Sequence, residues 1–140
     1  MNVNQKGAIG LIQVISDLTI KGYECFTPIH DYSEVDLIVM SPNYTVKRLQ
    51  IKYRTADKDV VTVKFRTTSM GKHSPINFDA IDGWAVYSPE IHKITYISKN
   101  EIDLTKTSVS FRLSEGSNTV NKTKNSIPLY SSFGEICGWK

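Results

Sequence analysis

The chain has 140 residues, 40% hydrophobic and 22% charged, with a formal net charge of +3. That length suits one domain, residues 1–140, large enough to bury a single core without staples, and the composition is that of an ordinary soluble globular protein. No stretch reaches the ~20 apolar residues of a membrane span, and the two cysteines, Cys25 and Cys137, fit neither a disulfide framework nor a zinc pattern.

The N-terminus lacks a basic region followed by an apolar run and a small-residue cleavage site, so a reducing cytoplasm is the expected setting. The mild positive charge permits a nucleic-acid partner without requiring one.

Residues from about Asn4 to Lys21 are expected to form a helix, because Ala8, Leu11, Ile12, Ile15 and Leu18 recur at three- and four-residue spacing. Lys21 followed by Gly22 is a stop signal. Tyr23 to Thr27 reads as a short strand closed by Pro28, and His30 to Glu34 as a polar loop. A strand of branched residues follows from Val35 to Met40, interrupted only by Asp36. Ser41-Pro42-Asn43-Tyr44 is turn chemistry, and Val46 to Arg54 alternates polar and apolar residues. Val60 to Thr67 reads as the next strand and Ser69 to Asn77 as an exposed loop. Asp82 to Ser88 and Lys93 to Ser98 read as a hairpin, and Ser108 to Leu113 as a last strand. Ser114 to Ser126 is rich in Ser, Asn, Thr and Lys, a segment expected to be mobile or ordered by a partner. Leu129 to Trp139 is apolar enough to pack back. The order predicts an α/β (α+β) domain with a central mixed sheet.

Alternation places Arg48, Gln50, Lys52 and Arg54 on one strand face, with Leu49, Ile51 and Tyr53 on the other. The strand holding Asp36 is joined to it through a short turn, so the two are expected to be antiparallel neighbours, with Asp36 near Gln50 and Lys52. A carboxylate, an amide oxygen and the Ile51 carbonyl are hard oxygen ligands suited to Mg²⁺, with Mn²⁺ as a substitute. A lysine beside them can orient an attacking water and stabilise charge building on phosphorus. The competing reading is a wet strand face, which the spacing alone does not exclude.

The segments Lys6-Gly7 with Gly10, Gly22-Tyr23, Pro28, Asp36-Leu37-Ile38-Val39 and Leu49-Gln50-Ile51-Lys52-Tyr53 resemble the PD-(D/E)xK nucleases, specifically the small intron-encoded homing endonucleases of that superfamily. The later stretch from Ile81 to Ile97 resembles that group's hairpin. The resemblance implies a restriction-endonuclease-like core, central mixed sheet flanked by helices with a β-hairpin extension, that cleaves specific sites in double-stranded DNA with Mg²⁺. It makes Asp36 the metal-binding aspartate, Gln50 the variable acidic or glutamine ligand and Lys52 the catalytic lysine. It also implies a glutamate after the second glycine of the first helix, where this chain has Leu11. Gln13 on the same helix is nearly opposite Leu11 around the axis and reads as a solvent-facing residue.

On that reading Arg48 and Arg54 flank Lys52, while Lys64 and Arg66 form a second polar stripe on the following strand, together a ribbon able to enter a major groove. Lys72, His73, Lys122 and Lys124 are expected phosphate contacts; His30 and His73 are loop histidines with weaker claims as bases. Cutting both strands at one site calls for two active sites, so a dimer or tetramer is expected. The alternatives are a catalytically silent DNA-binding protein of the same fold, which Leu11 favours, and a junction resolvase or repair nuclease.

Overall fold

The first helix is nucleated by local polar chemistry. The Asn2 side chain accepts from the Gln5 backbone N–H at 2.8 Å, and the Gln5 side chain accepts from the Asn2 N–H at 2.9 Å, a reciprocal capping box. Helix α1 (Val3–Ile20) then runs to Lys21 and is followed by Gly22 at φ 87°, the left-handed conformation that favours glycine at a helix end. The computed structural model describes residues 1–69, 72–75 and 77–113, with 66–69 and 72–75 as backbone only. The expected disorder at Ser114–Ser126 and the apolar Leu129–Trp139 therefore lie outside the described residues.

The buried stripe of α1 is Gly10, Val14 and Leu18, with Ile9, Leu11 and Ile15 half-buried beside it. Ala8 and Ile12, expected in that stripe, face solvent, Ile12 with 63% exposure. The helix is turned relative to expectation because Gly10 lets it press against the sheet. A Cβ at Gly10 would stand 3.5 Å from Ile51 Cγ2 and 3.6 Å from Tyr53 Cβ. Gly10→Ala should therefore fit and gain about 0.5–1 kcal/mol from helix propensity. Gly10→Leu should lose about 1–3 kcal/mol by overpacking. Thermal unfolding of the two variants checks both signs.

Strands β1 (Glu24–Phe26), β2 (Leu37–Met40), β3 (Val46–Tyr53), β7 (Gly83–Ser88) and β8 (Lys93–Ser98) form a five-stranded sheet in the order β1-β2-β3-β7-β8. All neighbours are antiparallel except β3 and β7, which run parallel. A parallel pair needs a crossover, and that crossover holds β4 (Val60–Lys64), β5 (Arg66–Ser69) and β6 (Lys72–Pro75). The β7–β8 hairpin is as expected, and so is β9 (Ser108–Arg112).

Alternation gives the sheet two apolar faces. Leu49, Ala85, Tyr87, Ile94 and Tyr96 pack with Val14 and Leu18 of α1 into one core. Trp84, Val86 and Ile97 point the other way and pack with Val61, Val63, Phe65, Val109 and Phe111 from the separate two-stranded sheet β4-β9. The molecule is thus layered as helix, sheet, small sheet.

Three expectations are corrected. The single strand over Val60 to Thr67 is broken by a bend at Phe65, whose ring is fully buried and whose N–H makes one more bond across to the Thr107 carbonyl, at 2.9 Å. The expected loop at Ser69–Asn77 is instead entered by a hairpin, β5–β6, with Ser69 opposite Lys72. Moreover β4 is not the neighbour of β3: it pairs with β9 in the second layer, so the Arg48–Arg54 and Lys64–Arg66 stripes do not form one ribbon. The reason is apolar. Val61 and Val63 are fully buried in the cluster with Trp84, and β7 takes the place beside β3.

Candidate active site

The antiparallel register Leu37↔Leu49, Ile38↔Arg48 sets Asp36 opposite Gln50, just before β2 begins, and the Asp36 N–H bonds to the Leu49 carbonyl at 2.9 Å. Along β3 the backbone groups alternate between partners. Arg48 accepts from Asp82 N–H and Arg54 donates to Tyr87 O on the β7 side. Leu49 and Ile51 therefore turn theirs toward β2. The ladder stops at Asp36, and its carboxylate takes the place of a strand: Oδ2 accepts the Ile51 N–H at 2.8 Å. Alternation turns the Ile51 carbonyl toward this same side.

Gln50 is fixed from the other end. Its Nε2 donates to the Glu34 carbonyl at 3.0 Å, which settles the orientation of the amide, since a flip would set two oxygens face to face. Gln50 Oε1 is consequently buried with no hydrogen-bond partner. Such an orphan acceptor costs about 1–3 kcal/mol. A hard cation beside Asp36 would satisfy it, and the donor set of one carboxylate, one amide oxygen and one turned carbonyl fits Mg²⁺ chemistry. Among the described residues there is no group of three or more His, Cys, Asp or Glu side chains placed to hold a metal. Beside the Asp36 carboxylate, the amide oxygen of Gln50 and the Ile51 carbonyl are the donors this geometry brings together.

The electrostatics of the site are strained in both signs. Loss of hydration raises the Asp36 carboxyl above its ordinary range, only partly offset by the Ile51 N–H and by Lys52. Asp36 as a residue is exposed, so this crowding comes from the strand on one side of the carboxylate and solvent screens it on the other. Burial lowers the Lys52 ammonium, Arg54 lowers it further, and Asp36 counteracts. Arg54 is lowered by burial as well. Lys52 is half-buried next to Val86 in the register, at the rim of the second core, and makes no ion pair within hydrogen-bonding range among the described residues.

The other expected site residues fall elsewhere. Leu11 packs into the first core, on the α1 side of the sheet, while Gln50 and Lys52 project from the opposite face with Trp84 and Val86. Gln13 is exposed and lines a cleft with Asp17, Lys21 and His92. Arg48, expected at the DNA surface, is committed within the fold. Its Nε and Nη2 meet the two Asp82 oxygens at 3.1 Å each, its own N–H meets Asp82 Oδ2 at 2.7 Å, and Nη1 meets the Asp79 carbonyl at 2.9 Å. Lys64 is exposed on the outer face of β4. Arg66, Lys72 and His73 lie on the β5–β6 hairpin backbone, and Lys122 and Lys124 lie outside the described residues.

Burial opposes the Asp82 charge, but its side-chain and backbone bonds from Arg48 outweigh that and hold its carboxyl below the ordinary value of 3.8. A depressed carboxylate contributes stability above the unfolded-state pKa, and that stability is lost as pH falls through the folded value. Asp82→Asn should accordingly cost about 1–2 kcal/mol at neutral pH, allowing for the partly exposed guanidinium. The variant and parent curves should converge as pH falls below 3.8 and through the lower folded-state value in pH-dependent urea unfolding.

Sequence reasoning missed the Glu34 carbonyl as the seat of Gln50 and Asp82 as the partner of Arg48. The first is a main-chain atom and leaves no mark in composition. The second joins residues 34 positions apart, which only the parallel pairing of β3 with β7 brings together.

Residues 1–134 match the profile of the family described as PD-(D/E)XK endonuclease. The chain belongs to the PD-(D/E)XK endonuclease family. The solved structure of a bacterial homing endonuclease is similar to it with a TM-score of 0.70 at 16% identity, over 95% of this chain and 89% of that one. At that identity the likeness shows the fold, which is the restriction-endonuclease-like α+β architecture. Among curated protein sequences none matches. No helix among the described residues of this PD-(D/E)XK chain is long and apolar enough to cross a membrane.

Proposed function

We propose that this PD-(D/E)XK chain is a Mg²⁺-dependent endonuclease that hydrolyses phosphodiester bonds in double-stranded DNA at specific sites, in the manner of the homing endonucleases. The observation that carries the reading is the Gln50 carboxamide, pinned by the Glu34 carbonyl so that its buried oxygen is left for a ligand beside Asp36. Asp36, Gln50 and the Ile51 carbonyl would hold the ion. Bound Mg²⁺ supplies Lewis-acid polarisation of the scissile phosphate and neutralises its developing charge.

The chain's own groups do the rest. Asp36, tied through Oδ2 to the Ile51 N–H, holds its second oxygen at a fixed bearing. Lys52 Nζ orients the attacking water and donates to a phosphoryl oxygen as negative charge grows on phosphorus. The water oxygen forms the new bond to phosphorus, the sugar oxygen leaves, and solvent takes the proton from one and returns it to the other. Arg54 and Lys64 are the described cations for the flanking backbone, and the β5–β6 hairpin with Arg66, Lys72 and His73 is the element for groove contacts. Cutting both strands would use two copies of the chain in a dimer or tetramer.

The test is incubation of the full chain with long duplex DNA and Mg²⁺ or Mn²⁺, beside four-way junctions of matched length. Discrete duplex fragments support the reading. Binding without cutting under either metal would make the chain a silent DNA-binding protein, and cleavage confined to junctions would make it a resolvase.

A further inference from the structure

We propose that Glu34 supplies the second carboxylate of the metal site, in place of an acidic residue on the first helix. The inference rests on Asp36 and Gln50 being the ion's ligands. The position at which a helix-borne glutamate would be expected is Leu11, and its half-buried side chain packs against the first core, across the sheet from Gln50. That leaves a divalent ion facing one carboxylate, with the Lys52 cation close by, a weak set for a hard 2+ ion.

The described carboxylates that are already engaged do not serve. Asp82 is held by Arg48, Asp17 by Lys21 and Tyr96, and Glu90 by the Ala56 N–H. Glu34 differs from all of these. Its main-chain oxygen is one hydrogen bond from the Gln50 carboxamide, it precedes Asp36 by two residues, and its side chain is exposed. Its carboxylate has no hydrogen bond or ion pair among the described residues, so no existing contact has to break for it to swing in. The buried, unpartnered Gln50 Oε1 is the independent sign that a ligand belongs beside it. A bend at Glu34, with Val35 packed into the second core, anchors the residue while its three side-chain rotors stay free.

The experiment is calorimetric titration of Mn²⁺ alone into the full chain, with free Mn²⁺ counted by electron paramagnetic resonance. Glu34→Gln should weaken Mn²⁺ binding about 10-fold or more, with unchanged circular dichroism and unfolding temperature. Glu24→Gln, an exposed acid at the sheet edge, should bind as the parent does, and Asp36→Asn should abolish binding. If Glu34→Gln binds Mn²⁺ like the parent while Asp36→Asn does not, Glu34 is no ligand and the Asp36–Gln50 site stands. If Asp36→Asn also keeps parental binding, or the parent binds no Mn²⁺, both the site and Glu34's part in it are overturned.

Discussion

Lys52→Met or Asp36→Asn should reduce DNA cleavage about 10³-fold or more while leaving the protein at least as stable as the parent. The loss follows from removing the charge that meets the phosphate or the carboxylate that stands beside Gln50 and accepts the Ile51 N–H. The stability follows from the sign of the shifts. Asp36 is raised above 3.8, so the folded chain holds its proton more tightly than the unfolded chain, and stability falls as pH rises through that window. Asparagine removes the loss, so its gain should be present at neutral pH and vanish below about pH 3.8. Lys52 is lowered from 10.5, so its charge opposes folding at neutral pH, and methionine relieves that cost. Cleavage assays beside thermal unfolding at pH 3, 5 and 7 test the pair. A variant that loses activity and melts early would mean these residues are structural rather than functional.

Trp84→Ala is expected to have the largest effect on stability, a loss of about 3–5 kcal/mol. Trp84 is fully buried, stacks on Phe65 with centroids 5.0 Å apart, and meets the edge of Phe78 at 6.2 Å. It is also the register partner of Gln50 on β3 and of Ile97 on β8, so it walls the site as well as filling the second core. Urea unfolding should show the midpoint shift, and Mn²⁺ binding should weaken in the fraction that stays folded. Trp84→Phe should cost far less, because it keeps most of the ring volume and deletes an indole N–H that is buried without a partner.

The position of Asp36 against Gln50 could be read from the chain because it depends on near neighbours. A short turn forces antiparallel pairing, and pairing with strict alternation fixes which residues share a face. The same local logic found α1, the β2–β3 pair and the β7–β8 hairpin. It missed the rotation of α1, since that depends on the close approach at Gly10 to Ile51 and Tyr53, residues distant in sequence.

The sequence by itself determined the family, the antiparallel arm that carries Asp36, and the order of polar residues on β3. Only the tertiary structure decided what those polar residues do. Parallel pairing with β7 delivers Asp82 to Arg48 and ties that arginine into an ion pair. Burial beside Val86 of β7 dehydrates Lys52, and the loop before β2 offers a carbonyl to Gln50. These are long-range consequences of burying two apolar faces at once, and a linear pattern records which residues are apolar without recording which face covers which.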